Sequence, residues 1–328
     1  MNLIVVFLQK AIAQGIAILY GANGEIVTEK SGNLNLGVPG MMYMGGVAGL
    51  MGAFLYENSV EAPVPFVGML IALVCALVCS GLGALIYSVL TISLRANQNV
   101  TGLALTIFGE GLSNFIGVLM ISRSETKTLK LPETITAHMR SVSIPGLSDL
   151  PAAGELFFSY NPFVYLGIVI ALAAGYYLHR TKTGLNVRAV GENPAAADAA
   201  GINVTRTKYV NILLGGGICG IGGAYCSMII NSGVWISDSV GGLGWIAVAL
   251  VIFAGWKPGA AIAGSFLFGG LRVLKYYVPK GGIEIPIAFY DMLPFLITAL
   301  VLVLGSMKKS RGAQIPASLG LNYFREER

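Results

Sequence analysis

The 328-residue chain predicts an all-α fold, a polytopic transmembrane helix bundle, and three observations carry that reading. Only 11% of its residues are charged, less than half of the ~25% usual in soluble domains. Hydrophobic residues make up 55%, with 44 glycines besides, and the mean hydropathy is +0.73. Apolar runs long enough to cross a hydrocarbon layer of ~30 Å recur along the whole length. This composition excludes disorder, fibrous repeats and nucleic-acid-binding modules; the expected surroundings are membrane lipid, with no nucleic acid. Cys75, Cys79, Cys219 and Cys226 all fall in apolar stretches and read as space-filling groups.

The elements follow in order. Residues 1–20 are apolar but lack a basic leader and an A-x-A site, and Gln9, Lys10 and Gln14 interrupt the middle, so they read as a retained membrane helix. A polar stretch, 21–35, is expected next. Residues 36–56 carry Pro39, Gly40, Gly45, Gly46, Gly49 and Gly52, which predicts a Gly-rich second segment that is broken or closely packed. Residues 64–94 and 100–122 are long enough to cross. Residues 123–161, with Pro132, Pro145 and Pro151, are too hydrophilic to span and read as an external loop. Further crossings are expected at 162–178, 209–231, 243–256, 259–276 and 289–307. The count is about nine, within a range of about eight to ten. Residues 1–307 thus form the membrane domain and 308–328 a cytoplasmic tail.

Lys and Arg are retained on the cytoplasmic side. The loop 179–208 has a net charge of +3, from Arg180, Lys182, Arg188, Arg206 and Lys208 against Glu192 and Asp198. The tail also carries +3, whereas 123–161 is balanced. Loop and tail are therefore expected inside and 123–161 outside. Parity puts Met1 outside unless an early segment is re-entrant. Gly45-x3-Gly49 and Gly216-x3-Gly220 form a weak echo between the two halves. Tight helix packing explains it more simply than a repeated transport element.

No catalytic set is visible: His138 and His179 lie in loops and no carboxylate pair has a defined spacing. No metal site is expected. The chain has no Gly-Lys dipeptide and hence no phosphate-cradling G-x-x-x-x-G-K-[ST] loop, so ATP and Mg would be held by a partner. The most informative stretch is 183–207, where Asn193 is a good N-cap, Pro194 suits the first helical position and Gly201 suits a left-handed stop. The alanine-rich turn between them, Ala197 included, has little apolar area and needs something to sit against, with Arg188, Glu192 and Asp198 able to orient a partner. The plainer alternative is a solvated loop.

From Arg188 through Gly191, Glu192, Asn193 and Pro194 to Gly201 and Ile202, this loop resembles the coupling loop of ABC importer permeases of the branched-chain amino acid, simple sugar and nucleoside superfamily. Residues 29–37 with Gly40, Met41 and Met42, residues 95–98, and the Gly-rich run 215–225 extend the resemblance over roughly residues 21–305, nearest to nucleoside and simple-sugar permeases. The resemblance implies a cytoplasmic ABC ATPase gripping Arg188, Gly191, Glu192, Asn193, Pro194, Ala197, Asp198 and Gly201. It also implies an extracytoplasmic substrate-binding protein, a second permease chain, and residence in the bacterial cell membrane. Pro39 stands where relatives usually carry Glu, so no role of that carboxylate transfers.

Within the bilayer, Glu110 at the centre of 100–122 costs ~2.5–3.5 kcal/mol as a charge and is expected to face the bundle interior or water. Thr106 and Asn114 lie one turn either side. This stripe reads as a translocation path or as an interhelical clamp, and Asn33 and Asn35 are weaker path candidates. The resulting expectation is an ATP-driven nucleoside uptake permease. Simple sugars and branched-chain amino acids are the alternatives, and an ion-coupled carrier using Glu110 or Asp291 ranks lower because relays of Asp, Glu or His are missing.

Overall fold

The computed structural model describes residues 3–124, 127–131, 136, 154, 156, 158–277, 286–307 and 315–324. All its regular elements are helical. They are α1 (Leu3–Glu29), α2 (Val38–Ser59), α3 (Pro65–Ser88, prolonged by a π turn at Val89–Ser93) and α4 (Gln98–Arg123). After the outer loop come α5 (Pro162–Arg180), α6 (Lys182–Glu192), α7 (Pro194–Ala199) and α8 (Val204–Tyr225, prolonged by a π turn at Cys226–Ile230). The set ends with α9 (Leu243–Phe253), α10 (Pro258–Leu274) and α11 (Ile287–Met307). Six are long and apolar enough to cross a membrane, namely α1 to α5 and α8, and three shorter apolar helices follow, which matches the expected number of apolar segments. Most of the expected external loop, and residues 308–314 and 325–328 of the tail, lie outside the described residues.

Two expectations are corrected. The polar stretch 21–35 is not a loop throughout, because α1 continues to Glu29 with every residue from Gly15 to Glu29 buried. Several of its polar groups bond inside the bundle: Asn23 Nδ2 donates to the Leu19 carbonyl at 2.9 Å, Thr28 Oγ1 to Gly24 at 3.1 Å, and Trp256 Nε1 donates to Glu29. The second segment is not broken either; α2 is continuous from Val38 to Ser59. The irregular backbone precedes it, at residues 30–37.

That irregular stretch lies within the membrane thickness. Val38 and Ala247 both pack beside Gly21, eight residues or about 12 Å along α1 from Glu29. Residues 30–37 therefore climb from the end of α1 to the middle of the bundle before α2 begins. Residues 231–242 descend from the opposite end to α9, so that Gly244 meets Pro39. Non-helical backbone at such depth must find partners in protein. Here Gln98 Oε1 accepts from Leu34 N at 2.8 Å, Glu25 Oε1 from Asn35 N at 3.1 Å and Asn35 Oδ1 from Gly37 N at 2.9 Å. Tyr87 Oη donates to the Leu34 carbonyl and Thr106 Oγ1 to the Leu36 carbonyl at 2.9 Å.

The core is built on α1, α2 and α8, whose apolar stretches beyond the first half of α1 are largely enclosed: 83% of that of α2 and 78% of that of α8, against 28% for α3 and α4. The two Gly-rich segments are each other's partners. A Cβ on Gly45 would collide with the Gly220 backbone, and one on Gly223 with the Met42 carbonyl. Their echo in the sequence is the two halves of one packing seam. α8 also meets α1 at Gly24 and Gly215, and α2 meets α4 at Gly40 and Gly109. The outward faces of α3 and α4 carry exposed Leu70, Val74, Leu82, Ile107, Phe115 and Val118, as a lipid-facing surface requires. At the outer end, Leu131 N donates to Gly233 at 2.9 Å and Trp235 N to Leu129 at 2.9 Å, tying the outer loop over 231–235. Lys275 and Asp291 pair there at 3.0 Å.

A seam made of backbone tolerates no added methyl group. Gly45→Val is expected to cost about 1–3 kcal/mol or more through overpacking, read as a lower melting temperature and loss of a monodisperse peak in detergent. Gly111→Ala, where a Cβ meets nothing within 4 Å, is expected to leave both unchanged or improved.

Candidate functional site

The basic end of the bundle gathers α6, α7, the turn after α1 and the segment 315–324. Thr181 caps α6, its Oγ1 accepting from Gly184 N at 3.0 Å. Asn193 then caps α7, its Oδ1 accepting from Ala196 N at 3.0 Å, with Pro194 in the first turn. Gly201 adopts φ +83° and releases the chain toward α8. The start and stop read from the sequence are therefore those of α7. Part of the seat lies within the chain: Ala197 is buried with Val190 and Val204, against Ala189, Ile202 and Tyr323, while Ala196, Ala199 and Ala200 are exposed.

The segment 315–324 forms a strap across this end. Ser318 N and Oγ donate to the Gly191 carbonyl at 3.0 and 2.5 Å, and Ala317 N to Glu192 Oε2 at 3.4 Å. Tyr323 Oη donates to Asp198 Oδ2 at 2.8 Å. The same strap reaches the first turn through Gly320 N and the Gly32 carbonyl at 3.3 Å. It reaches the α3–α4 connection through Asn322 Nδ2 and the Arg95 carbonyl at 2.7 Å, with Arg95 stacked 4.6 Å over Phe324. Glu192 and Asp198 thus have partners within the chain. Arg188 and Glu192 line a cavity with Lys30, Ile315 and Pro316. Burial holds the Lys30 ammonium below the ordinary lysine range, while the charge of Glu192 pulls it upward.

A second polar group lies near the middle of the membrane thickness. Glu110 is exposed on α4, one residue beyond the Gly109–Gly40 contact. Tyr43 Oη donates to Asp238 Oδ1, and that oxygen also accepts from Gly241 N at 3.1 Å, bending the descending segment into α9. On the same helix as Glu110, Ser113 Oγ and Asn114 Oδ1 are buried and have no hydrogen-bond partner among the described residues. Thr106 and Asn35 come together around residues 34–37, their side chains engaged by that backbone, and Asn33 is buried in the same stretch. Glu110 and Asn114 stay apart from that cluster. Among the described residues no group of His, Cys, Asp and Glu is arranged to hold a metal.

The match to known proteins covers nearly the whole chain: residues 7–302 fit the family described as the branched-chain amino acid transport system / permease component. The chain belongs to that family. It is a multi-pass protein of the cell membrane and a transport component rather than an enzyme. The permease is 30% identical to a guanosine ABC transporter permease of Bacillus subtilis, over 95% of this chain and 94% of that one. It is also 30% identical to a nucleoside ABC transporter permease of Lactococcus lactis, over 99% of both. A putative glucose ABC transporter permease of Haloferax volcanii is likewise 30% identical, over 97% of this chain and 97% of that one. Family membership sets aside the ion-coupled carrier. Leu3 lies at the end of α1 away from the basic loop, since the turn after Glu29 meets Gly191.

Sequence reading missed Asp238, Tyr43 and the strap. Asp238 stands three residues before Gly241, the spacing at which a cap side chain accepts from backbone, yet nothing local says that this turn packs against α2. The strap has no periodicity to reveal it. Removing its phenol contact in Tyr323→Phe is expected to cost about 0.5–1.5 kcal/mol, measured as faster proteolysis within 315–324 in the solubilised permease, with the melting temperature of the bundle nearly unchanged.

Proposed function

We propose that this permease carries nucleosides inward as the membrane-spanning subunit of an ATP-driven uptake system. The single observation that supports this most is the similarity, over almost the full length of both chains, to permeases of guanosine and of nucleosides. The mid-membrane group agrees with it. Glu110 and Asp238 are acceptors and Tyr43 is an aromatic donor, a set suited to ribose hydroxyls and a base edge. A carboxylate turned toward lipid at that depth would cost ~2.5–3.5 kcal/mol. The Glu110 face is accordingly assigned to the path, closed on its far side by a second permease chain of the same or related sequence.

In this reading the permease has no ATPase site of its own. ATP and Mg belong to a cytoplasmic ABC ATPase that grips α7, with Arg188, Gly191, Glu192, Asn193, Pro194, Ala197, Asp198 and Gly201 forming or backing the contact. A substrate-binding protein delivers solute at the outer end. Displacement of α7 passes through α6 and the strap to the turn at Gly32 and to residues 95–98, and so to the irregular backbone 33–37 packed beneath the mid-membrane group. Asn33, Asn35 and Thr106 act as the moving floor of the path, and Glu110 and Asn114 as its wall.

Uptake of labelled guanosine in cells carrying the whole system tests the substrate. Unlabelled nucleosides are expected to compete, and glucose, ribose and leucine at equal concentration to leave uptake intact; the reverse order removes the nucleoside assignment. Glu110→Gln is expected to lower uptake about tenfold, the loss of one charge-assisted hydrogen bond, at unchanged membrane abundance. For the lever, Gly201→Val places a Cβ in the left-handed region at about 1–2 kcal/mol in a spot with nothing within 4 Å. Uptake is expected to be lost in that variant and largely kept in Gly201→Asn, which tolerates the same backbone. Equal uptake in the two would dissociate α7 from transport.

A further inference from the structure

Lys208 is not used by any contact described so far. It lies one turn into α8 with a relative exposure of 3%, and among the described residues its ammonium makes no hydrogen bond or ion pair. It lines a cavity of about 620 Å³ between the π turn of α3, the start of α8 and the strap. Arg95 and Arg206 line the same cavity, and the acid among its walls is Asp198, whose Oδ2 accepts from Tyr323. The walls therefore hold an excess of positive charge around a desolvated cation. Leaving such a cation unpaired is costly, which is why buried charges in proteins are paired. Arg95 is fixed at the rim by its stack on Phe324 and by its backbone bond to Asn322. Tyr209 is held against Ser93 at 2.6 Å.

We propose that this cavity binds a phosphate oxyanion, supplied by the headgroup of an anionic phospholipid of the cytoplasmic leaflet. The chemistry is that of phosphate: Arg95, Arg206 and the buried Lys208 all line one pocket of headgroup size, and cations of this kind are strong charge-assisted donors to phosphate oxygens. The position favours lipid over a soluble phosphate. Leu94 on the α3 side and Val210 and Leu214 on α8 are exposed apolar residues beside the cavity, on helices whose outer faces meet the acyl region. Basic pockets between transmembrane helices on the cytoplasmic side have this character. The inference concerns lipid or anion binding alone and does not rest on the nucleoside assignment.

The test uses the full-length chain in nanodiscs of dioleoylphosphatidylcholine, with or without dioleoylphosphatidylglycerol at about one quarter of the lipid, read by melting temperature and by lipid retained in native mass spectrometry. Phosphatidylglycerol is expected to raise the melting temperature and to be retained. Lys208→Met is expected to weaken that retention about tenfold and, in phosphatidylcholine alone, to melt at or above the wild type because an unpaired buried charge has gone. Lys208→Arg keeps the charge and is expected to keep the retention. Sodium phosphate against sodium chloride at equal ionic strength forms the second arm. A shift with phosphate but not with the lipid, lost in Lys208→Met, upholds the oxyanion site and assigns it to a soluble phosphate. The proposal falls if neither anion shifts the wild type or if Lys208→Met responds as the wild type does. It falls equally if the substitution changes only retention of the partner ATPase, which would give the cavity to an acidic side chain of that subunit.

Discussion

Closure of this bundle depends on helices that meet with only backbone between them. Within lipid there is no hydrophobic gain in bringing two apolar helices together, so association rests on close packing and on polar contacts. Gly45 against Gly220, Gly223 against Met42, Gly24 against Gly215 and Gly40 against Gly109 supply that closeness. α1, α2, α4 and α8 are held by these contacts at fixed depths relative to one another. The fixed depths in turn allow residues 30–37 and 231–242 to run as irregular backbone between helices, with Gln98, Glu25, Tyr87 and Thr106 bonding the amides and carbonyls of residues 34–36.

The polar residues of the interior divide accordingly into two groups. Glu25, Tyr87, Gln98 and Thr106 complete the hydrogen bonding of backbone that is not helical. Glu110 and Asp238 lie on a surface that the single chain leaves open, and the buried Tyr43 holds Asp238 through its hydroxyl. The first group makes the second possible, since Pro39 and Gly244 meet only because both unwound segments end at the same level. Two carboxylates, Glu110 and Asp238, are thereby held beside the seam, the second bonded by the Tyr43 hydroxyl.

Features ruled by short-range chemistry were legible in the sequence. The cap at Asn193, Pro194 in the first turn and the left-handed Gly201 are local choices, and each stands where the residue type required. The number of apolar segments and the packing value of the glycine spacings were legible for the same reason. The continuation of α1 through Asn23, Glu25 and Glu29 was not, because hydropathy scores those side chains without their partners. Trp256, more than two hundred residues away, supplies the bond that lets Glu29 be buried. Asp238 and Tyr43 were hidden likewise, their meaning resting on a contact across 195 positions. The residues of the strap carry neither helical nor strand periodicity, and their binding partners are carbonyl groups, which no side-chain pattern records.

The strap has a consequence for biosynthesis. Residues 315–324 leave the ribosome after every membrane helix has been made, yet they supply the donors for Gly191 and Gly32 and the partner for Asp198. Until they arrive, the inner face of the nascent polypeptide shows bare carbonyls and a loosely seated α7. This end of the bundle is thus completed only when residues 315–324 fold onto helices made before them.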